Sequence, residues 1–378
     1  VQESLITTPY TFFVSQLEKA RQKSFAGSTL TSAVVYMTTV TGLLAFVVMI
    51  LWLAGSRGGF VTILLALVLI LPVSLLREFC RRWLFAHLRV PMATLLDAVY
   101  AITILGGLWL LTTLDQVTAF YALLVSGLGS LLAVLLAKRF QSDFSLEANV
   151  LRSDVNKNLG FGRWTAGASL LSATLMYFAH WYLVATQGEA SAGLYAACLT
   201  LVFLANPFLL GLSSILAPRA AREFSRHGKP GVRRVVVQYT VVVILVLTAF
   251  AGVMGVAGDW LLGFVFEDHY RGNQFTINVL VAAMIGIGIN FMLACGLYAL
   301  VQPRQDLYAA VIGLSLTVLL TVIWKPTDTG TMAVCFASGV FAMALYRMIV
   351  FWHLSGVQHE SMPTTDLSSE SDHSDNQD

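Results

Sequence analysis

Charge is scarce in this chain. Asp, Glu, Lys and Arg make up only 12% of its 378 residues, 57% are hydrophobic, and the mean hydropathy is +0.74. A water-soluble domain carries about a quarter charged residues, so a soluble fold is excluded. Cysteine is scarce too. Cys198, Cys295 and Cys335 lie inside apolar runs and Cys80 at the edge of one. That excludes a disulfide framework and leaves small apolar packing residues. The opening Val1-Gln2-Glu3 has no basic region before its apolar stretch, so it is not a signal peptide. No Walker sequence is present. Gly160-Phe161-Gly162 is half a glycine loop with no strand before it, so it is not a nucleotide site. The seven histidines (His87, His180, His227, His269, His353, His359, His373) lack metal-ligand spacing, and no cofactor is implied. The net charge of +2 belongs to loops beside lipid headgroups and does not point to nucleic acid.

What the chain has in abundance is long apolar segments. About 20 apolar residues span the hydrocarbon core as a helix. A membrane barrel would show roughly ten-residue segments alternating with period 2. The runs here, of which 235–257 is typical, are longer and continuously apolar. They predict spans at 1–17, 28–54, 60–76, 92–114, 118–137, 165–186, 191–217, 235–257, 273–300, 307–324 and 331–353. The fold class is therefore an all-α polytopic membrane protein.

The connections alternate in charge. All but three of the 23 Lys and Arg residues fall on one side, in 18–27, 77–91, 138–164 and 218–234 and at Arg304 and Arg347. The exceptions are Arg57, Arg271 and Lys325. Basic loops stay cytoplasmic, so the rich side is inside. The longest outer connection, 258–272, holds Asp259, Glu267, Asp268, His269 and Arg271 and reads as a solvated turn or a weak cation or sugar site.

Residues 138–164 divide five spans from six. Phe144, Leu151, Val155 and Leu159 fall near one helical face there, which predicts a helix lying at the cytoplasmic interface. This gives an N-terminal lobe over 1–140, an amphipathic linker over 141–163, a six-helix lobe over 164–354 and an acidic tail over 355–378. From His359 on, the tail holds six acidic residues and no Lys or Arg, and is expected to be disordered and cytoplasmic. The halves look related: the stretch Phe85 to Leu96 recurs loosely as Tyr298 to Tyr308, each crossing a short turn at a proline (Pro91, Pro303). A genuine repeat implies twelve spans, with the first missing here.

Few polar residues fall within the spans, where a charge at the helix centre costs about 2.5–3.5 kcal/mol on insertion scales. Asp97 is the deepest plain carboxylate, either cavity-facing or paired with Arg89 or another loop base. His180, between Tyr177 and Trp181, could stack on a sugar, donate to a phosphate or belong to an interfacial aromatic belt. Asn206-Pro207 falls mid-span, where the proline frees the carbonyl of Phe203. It is a packing kink or a hinge at Pro207 beside a cavity. Asn290 lies among Gly286, Gly288 and Gly296, where helices approach closely, and is an interhelical hydrogen-bonder or a cavity residue. Arg77 and Arg347 are expected near cytoplasmic ends, where they can snorkel and where one could meet an anion at a cavity mouth.

The stretch Gly188 to Ala197, the following span with Asn206-Pro207, and Ala217-Pro218-Arg219 with its basic loop to Gly228 resemble the start of the second bundle in polysaccharide flippases. These form the Wzx-like branch of the MOP superfamily, which includes the MATE exporters. Ile6-Thr7-Thr8-Pro9 and the Arg81 to Asp97 region look like the family's second span and fourth-to-fifth connection. The resemblance implies two pseudo-symmetric lobes around a central cavity. It implies flipping of a lipid-linked oligosaccharide to the outer leaflet of a bacterial inner membrane, alongside the glycosyltransferases or polymerase of its pathway. Such families place basic residues in the cavity, whereas here no Lys or Arg is expected deep in any span. A cation-coupled multidrug exporter of the same superfamily and an integral-membrane glycan enzyme are the alternatives.

Overall fold

A computed structural model describes residues 2–14, 17–55, 58–137, 144–145, 148–266 and 270–356. Arg57, Lys138, Arg139, Glu147, the cluster 267–269 and the chain from 357 on lie outside the described residues, as do the side chains at 19–20 and 148–150.

The described elements are helical. A π turn, Glu3–Thr7, leads into α1, Thr8–Val14. Then come α2 (Lys19–Leu53), α3 (Gly59–Ala86), α4 (Val90–Thr113) and α5 (Ala119–Ala137). The remaining helices are α6 (Ala148–Gln187), α7 (Glu189–Val202), α8 (Asn206–Phe266), α9 (Gln274–Ala299), α10 (Pro303–Trp324) and α11 (Thr329–Gly356). Nine helical stretches among the described residues are long and apolar enough to cross a membrane. The chain is a multi-pass membrane protein.

One of the nine, Glu189–Phe266, crosses twice. Within α8, Gly228 adopts φ 61°, ψ −150°, a conformation glycine alone tolerates easily. A straight helix would separate Leu209 from Leu247 by about 57 Å at 1.5 Å per residue. Both instead converge on Gly288 of α9, where an added Cβ would lie 3.2 Å from Leu209, 2.7 Å from Leu247 and 2.6 Å from Val243. So α8 is an antiparallel hairpin with Gly228 at its apex. With that crossing, ten of the eleven sequence-predicted spans have a helix long and apolar enough to cross, while the first, 1–17, is represented by the short segment 3–14, which is not among them.

Two lobes repeat one packing scheme. In the first, α5 packs on α3 and α4; in the second, α11 packs on α9 and α10. The turns between α3 and α4 and between α9 and α10 match in backbone detail. Leu88 and Val301 both have positive φ (54° and 58°). Each turn is closed the same way, by Leu88 N–H to Phe85 O and Arg89 N–H to Leu84 O, and by Val301 N–H to Tyr298 O and Gln302 N–H to Leu297 O. The loose sequence repeat there is a repeat of structure. The prolines are out of register by one residue, because Pro303 opens α10 while Pro91 is the second residue of α4.

Two expectations change. The span expected to stop at 76 continues as α3 to Ala86, so Arg77, Arg81 and Arg82 sit on a helix and not in a loop. The linker expected to lie apart at the interface is helical from Ala148 and runs without interruption into the next span as α6. Its faces follow the expectation in part: Leu151 and Val155 are half-buried and Arg152 and Lys157 exposed. Leu159 is 48% exposed while Asp154 and Asn158 are buried. Arg21 of α2 bonds Asp154 at 2.5 Å, and Asn158 Nδ2 donates to Thr29 Oγ1 at 3.3 Å. Two polar residues of this segment, Asp154 and Asn158, are packed because α2 supplies their partners.

The second lobe is the denser. Half or more of the most apolar windows of α9 and α11 is buried, against 6% for α4. Its tightest approach joins α10 and α11, where a Cβ on Gly339 would meet Thr317 Oγ1 at 2.0 Å and Gly313 O at 2.5 Å. Gly339→Leu is expected to destabilise by roughly 1–3 kcal/mol or more through overpacking. Gly252→Leu, with nothing within 4 Å, should leave thermal unfolding in detergent unchanged. Equal melting shifts would contradict this packing.

Before α11, Asp328 accepts from Thr331 N–H at 2.8 Å and Thr331 Oγ1–H at 2.7 Å. These bonds hold its carboxyl below the ordinary value. A depressed carboxylate stabilises above its unfolded pKa and loses that contribution as pH falls through the folded one. Asp328→Ala should therefore cost about 1 kcal/mol at neutral pH. The gap to wild type should close below about pH 4; a gap that persists there would rule out the ionised cap.

Candidate functional site

A cavity of about 550 Å³ lies on the seam between the lobes. The segment 3–14 forms one wall. The end of α3, the middle of α6, the first half of α8, and α9, α10 and α11 form the rest. Its residues on α3 and α10, Arg82, Phe85 and Asp306, stand close to the helix ends that carry the basic connections. The cavity therefore lies toward the end of the bundle where the basic connections gather.

The seam is held by short side chains. Ser4 and Ser169 share a hydrogen bond of 2.9 Å, and Thr165 Oγ1–H donates to the Ser4 carbonyl at 2.6 Å. Gly162 lets the backbone of Leu5 approach, since a Cβ there would sit 2.7 Å from its carbonyl oxygen. This leaves a wall of hydroxyls, with Thr7, Thr11, Ser172, Ser213 and Ser214 also lining the space. Below it, Phe12, Phe161 and Tyr298 meet edge-on or offset, with ring centroids 5.6–6.5 Å apart, joining α1, α6 and α9.

Two arginines line the cavity, each matched by a carboxylate. Arg347 of α11 is 4% exposed and roughly 14 Å inside the helix from Gly356. Its guanidinium pairs with Asp306 and donates to Asn290 Oδ1 at 2.8 Å and to the Asn290 carbonyl at 3.3 Å. Asn290 Nδ2 donates to Val340 O at 3.0 Å, and Tyr298 O–H donates to Asp306. One polar network thus ties α9, α10 and α11 together. Across the cavity, Arg82 of α3 bonds Glu3 at 2.5 Å and Glu78 at 3.0 Å. Glu78 also receives Arg81 at 2.6 Å.

The sequence-predicted residues separate into two groups. Asn290 and Arg347 are in direct contact and line the cavity. Arg347 lies in the last ten residues of α11, near a helix end as expected, but it does not snorkel, because it is buried and neutralised by Asp306 inside the bundle. Arg77 and Asp97 are 3.8 Å apart and are not cavity residues. Asp97 also faces Arg81 at 3.8 Å and not Arg89, and the Arg77 guanidinium lies 3.6 Å over the Tyr100 ring. His180 packs edge-on against Tyr195 of α7 at 5.2 Å, away from the cavity. Asn206 and Pro207 follow a 3-10 turn, Phe203–Ala205, that ends α7. They stand one turn before the cavity residue Leu210 on the same helix face.

Glu3, Arg82, Tyr298 and Asp306 were not anticipated. Asp306 carried a readable signal. It heads the buried stripe Asp306, Ala310, Gly313, Thr317 and Thr321, small or polar at helical spacing, which is the pattern of a helix contact inside a membrane.

Two helical lobes around a seam cavity are the architecture of a class of membrane transport proteins. The chain has the fold of MATE and MOP superfamily transporters. It superposes on a MATE protein crystallised in complex with MaD5 with a TM-score of 0.81 at 11% identity, covering 94% of this chain and 85% of that one. It is similar to a mutant of the Vibrio cholerae MATE transporter VcmN, with a TM-score of 0.79, 14% identity and 94% and 86% coverage. It is also similar to a Pyrococcus furiosus MOP superfamily transporter for which a binding pocket of reverse polarity is said to suggest a different function. There the TM-score is 0.79, the identity 11% and the coverage 94% and 84%. The sequence itself matches no family profile and no curated protein.

Removing one partner of a buried ion pair strands the other charge and costs about 3–5 kcal/mol. Arg347→Met and Asp306→Leu should each lower the melting temperature in detergent sharply, and the double variant should lose much less than the sum. Simple additivity would show that the two groups do not form one network.

Proposed function

We propose that the protein is a transporter that moves a lipid-linked saccharide from the cytoplasmic to the outer leaflet of a bacterial inner membrane by alternating access between its two lobes. The observation that carries this reading is the composition of the seam cavity. Arginines stand on both lobes, Arg82 on one and Arg347 on the other. Arg is suited to phosphate oxygens, which it can hold with two parallel bonds. The hydroxyl wall and Asn290 offer donors and acceptors to sugar hydroxyls, and Phe12, Phe85 and Phe291 offer faces for sugar rings. A polar headgroup would cross about 30 Å of hydrocarbon in this hydrated space while its chain stayed in lipid. The glycosyltransferases or polymerase that make and use such a substrate are the partners this reading implies.

A cation-coupled multidrug exporter needs a carboxylate available to the coupling ion. The two carboxylates on the cavity, Glu3 and Asp306, are each held by an arginine, and Asp97 lies off the cavity between Arg77 and Arg81. With two arginines and two carboxylates the cavity lining is balanced in charge, so in this reading an anionic headgroup takes a carboxylate's place on Arg82 or Arg347.

The full chain in proteoliposomes is expected to accelerate translocation of a fluorescent lipid-linked saccharide over empty vesicles. Losing a charge-assisted contact costs about 1.5–3 kcal/mol, so Arg82→Ala should slow translocation on the order of tenfold or more. No acceleration, together with gradient-driven efflux of cationic dyes, would replace this reading with the exporter.

A further inference from the structure

The apex of the α8 hairpin carries a feature unrelated to the seam cavity. Just after Gly228, Lys229, Arg233 and Arg234 succeed one another around the first turn of the returning helix. With Phe224 from the outgoing helix and Trp352, Ser355 and Gly356 from the end of α11, they line a pocket of about 970 Å³. The Arg233 guanidinium lies 3.9 Å over the Trp352 ring.

These three cations have no carboxylate partner among the described residues, and unlike the other unmatched cations of the chain they line one pocket. Arg21 is matched by Asp154, Arg81 by Glu78 and Arg347 by Asp306. The nearest acid on the hairpin, Glu223, is taken by His227 at 2.8 Å. Arg219 bonds the Tyr239 hydroxyl, and Arg222 and Arg226 add like charge beside it. Among the described residues, no carboxylate lines the pocket.

Its surroundings narrow the ligand further. The two helices that bound it, the second half of α8 and α11, meet at the pocket and both pack on α9, where Val236 and Phe351 close on Gly296. Their surfaces then become apolar and exposed, with Val241, Val242 and Leu245 on α8 beyond Arg234 and Leu345, Met348 and Ile349 on α11 before Trp352. At 1.5 Å per residue this apolar surface begins about 10 Å from Arg234 on α8 and about 5 Å from Trp352 on α11. A cationic recess below an apolar face fits a ligand with an anionic head and a hydrocarbon tail. The basic end of the bundle faces the cytoplasm, and basic pockets between spanning helices on that side suit anionic headgroups.

We infer that the pocket at the α8 apex binds an anionic phospholipid of the inner leaflet. Lys229, Arg233 and Arg234 hold the phosphate head, and the exposed face of α8 and α11 seats the acyl chains. This inference does not rest on what the seam cavity transports.

The test uses the purified full chain, titrated in mixed micelles with fluorescent phosphatidylglycerol or phosphatidylcholine and read by native mass spectrometry. Phosphatidylglycerol is expected to bind the more tightly, with a preference that weakens as salt rises. Each basic side chain near a membrane surface contributes about fivefold in affinity. The triple variant K229A/R233A/R234A should therefore lose the preference by on the order of a hundredfold, and R233K/R234K should retain most of it. R152A/R163A, which removes two other cations, should change nothing. Unchanged selectivity in the triple variant would overturn the assignment. So would competition by inorganic phosphate at the same concentrations as the lipid. A pocket that binds lipid only after truncation behind Gly356 would overturn it as well, by assigning the cations to the chain's own acidic tail.

Discussion

Inside a bilayer every polar group must find its partner within the protein, and the bundle is arranged around that constraint. Arg347 is the extreme case. Its charge is tolerable because Asp306 neutralises it and two oxygens of Asn290 accept from one of its terminal nitrogens, which leaves Nε as its one buried guanidinium nitrogen without a partner among the described residues. Asn290 is in turn fixed by the Val340 carbonyl. Three helices are thereby held in one register. The same rule acts at lower cost along the spans, where Thr29, Thr103, Thr200 and Thr321 return their hydroxyls to the carbonyl one turn back. The hydroxyls at the seam, Thr165 and Ser169, instead bond across to the segment 3–14. Those between-helix bonds mark where the lobes meet.

The topology was largely legible from hydropathy, the two-lobe repeat from the recurrence at 85–96 and 298–308, and Asn290 from its position among glycines. Helix ends and charge partners were not. Apolar runs report the length of chain in contact with hydrocarbon, whereas a helix continues as long as its backbone bonds can form. So α3 runs ten residues past the expected end at 76, and Arg82 comes to stand on the cavity. The linker misled for a related reason. Its periodicity was read with apolar residues inward, but Asp154 and Asn158 face the packed side because Arg21 and Thr29 await them. Partners on other helices decide such faces, and a single sequence does not contain that information. Arg347 was visible but assigned to a rim, since only the three-dimensional proximity of Asp306, 41 residues earlier, makes a deep arginine affordable.

The lobes differ in how they are held. The second is organised around α9, whose glycines admit Val243, Leu247, Val340 and Phe351 at close range. The first leaves α4 almost wholly outward, with Ile102 and Trp109 each 71% exposed. Its inner end is tied by a chain of charges running Glu3, Arg82, Glu78, Arg81 and Asp97. Because surface ion pairs exchange partners at little cost and packed glycine contacts do not, the two lobes present a firm wall and a more adaptable one to the same cavity.

The hairpin at Gly228 has a bearing on how the chain enters a membrane. Its two spans are joined by a single residue outside helical geometry, so neither can be inserted without drawing the other after it. Six basic residues, Arg219, Arg222, Arg226, Lys229, Arg233 and Arg234, ride at the apex. Basic residues resist translocation, so an apex this charged would stay on the side of synthesis while both arms cross, and the hairpin would set its own direction in the membrane.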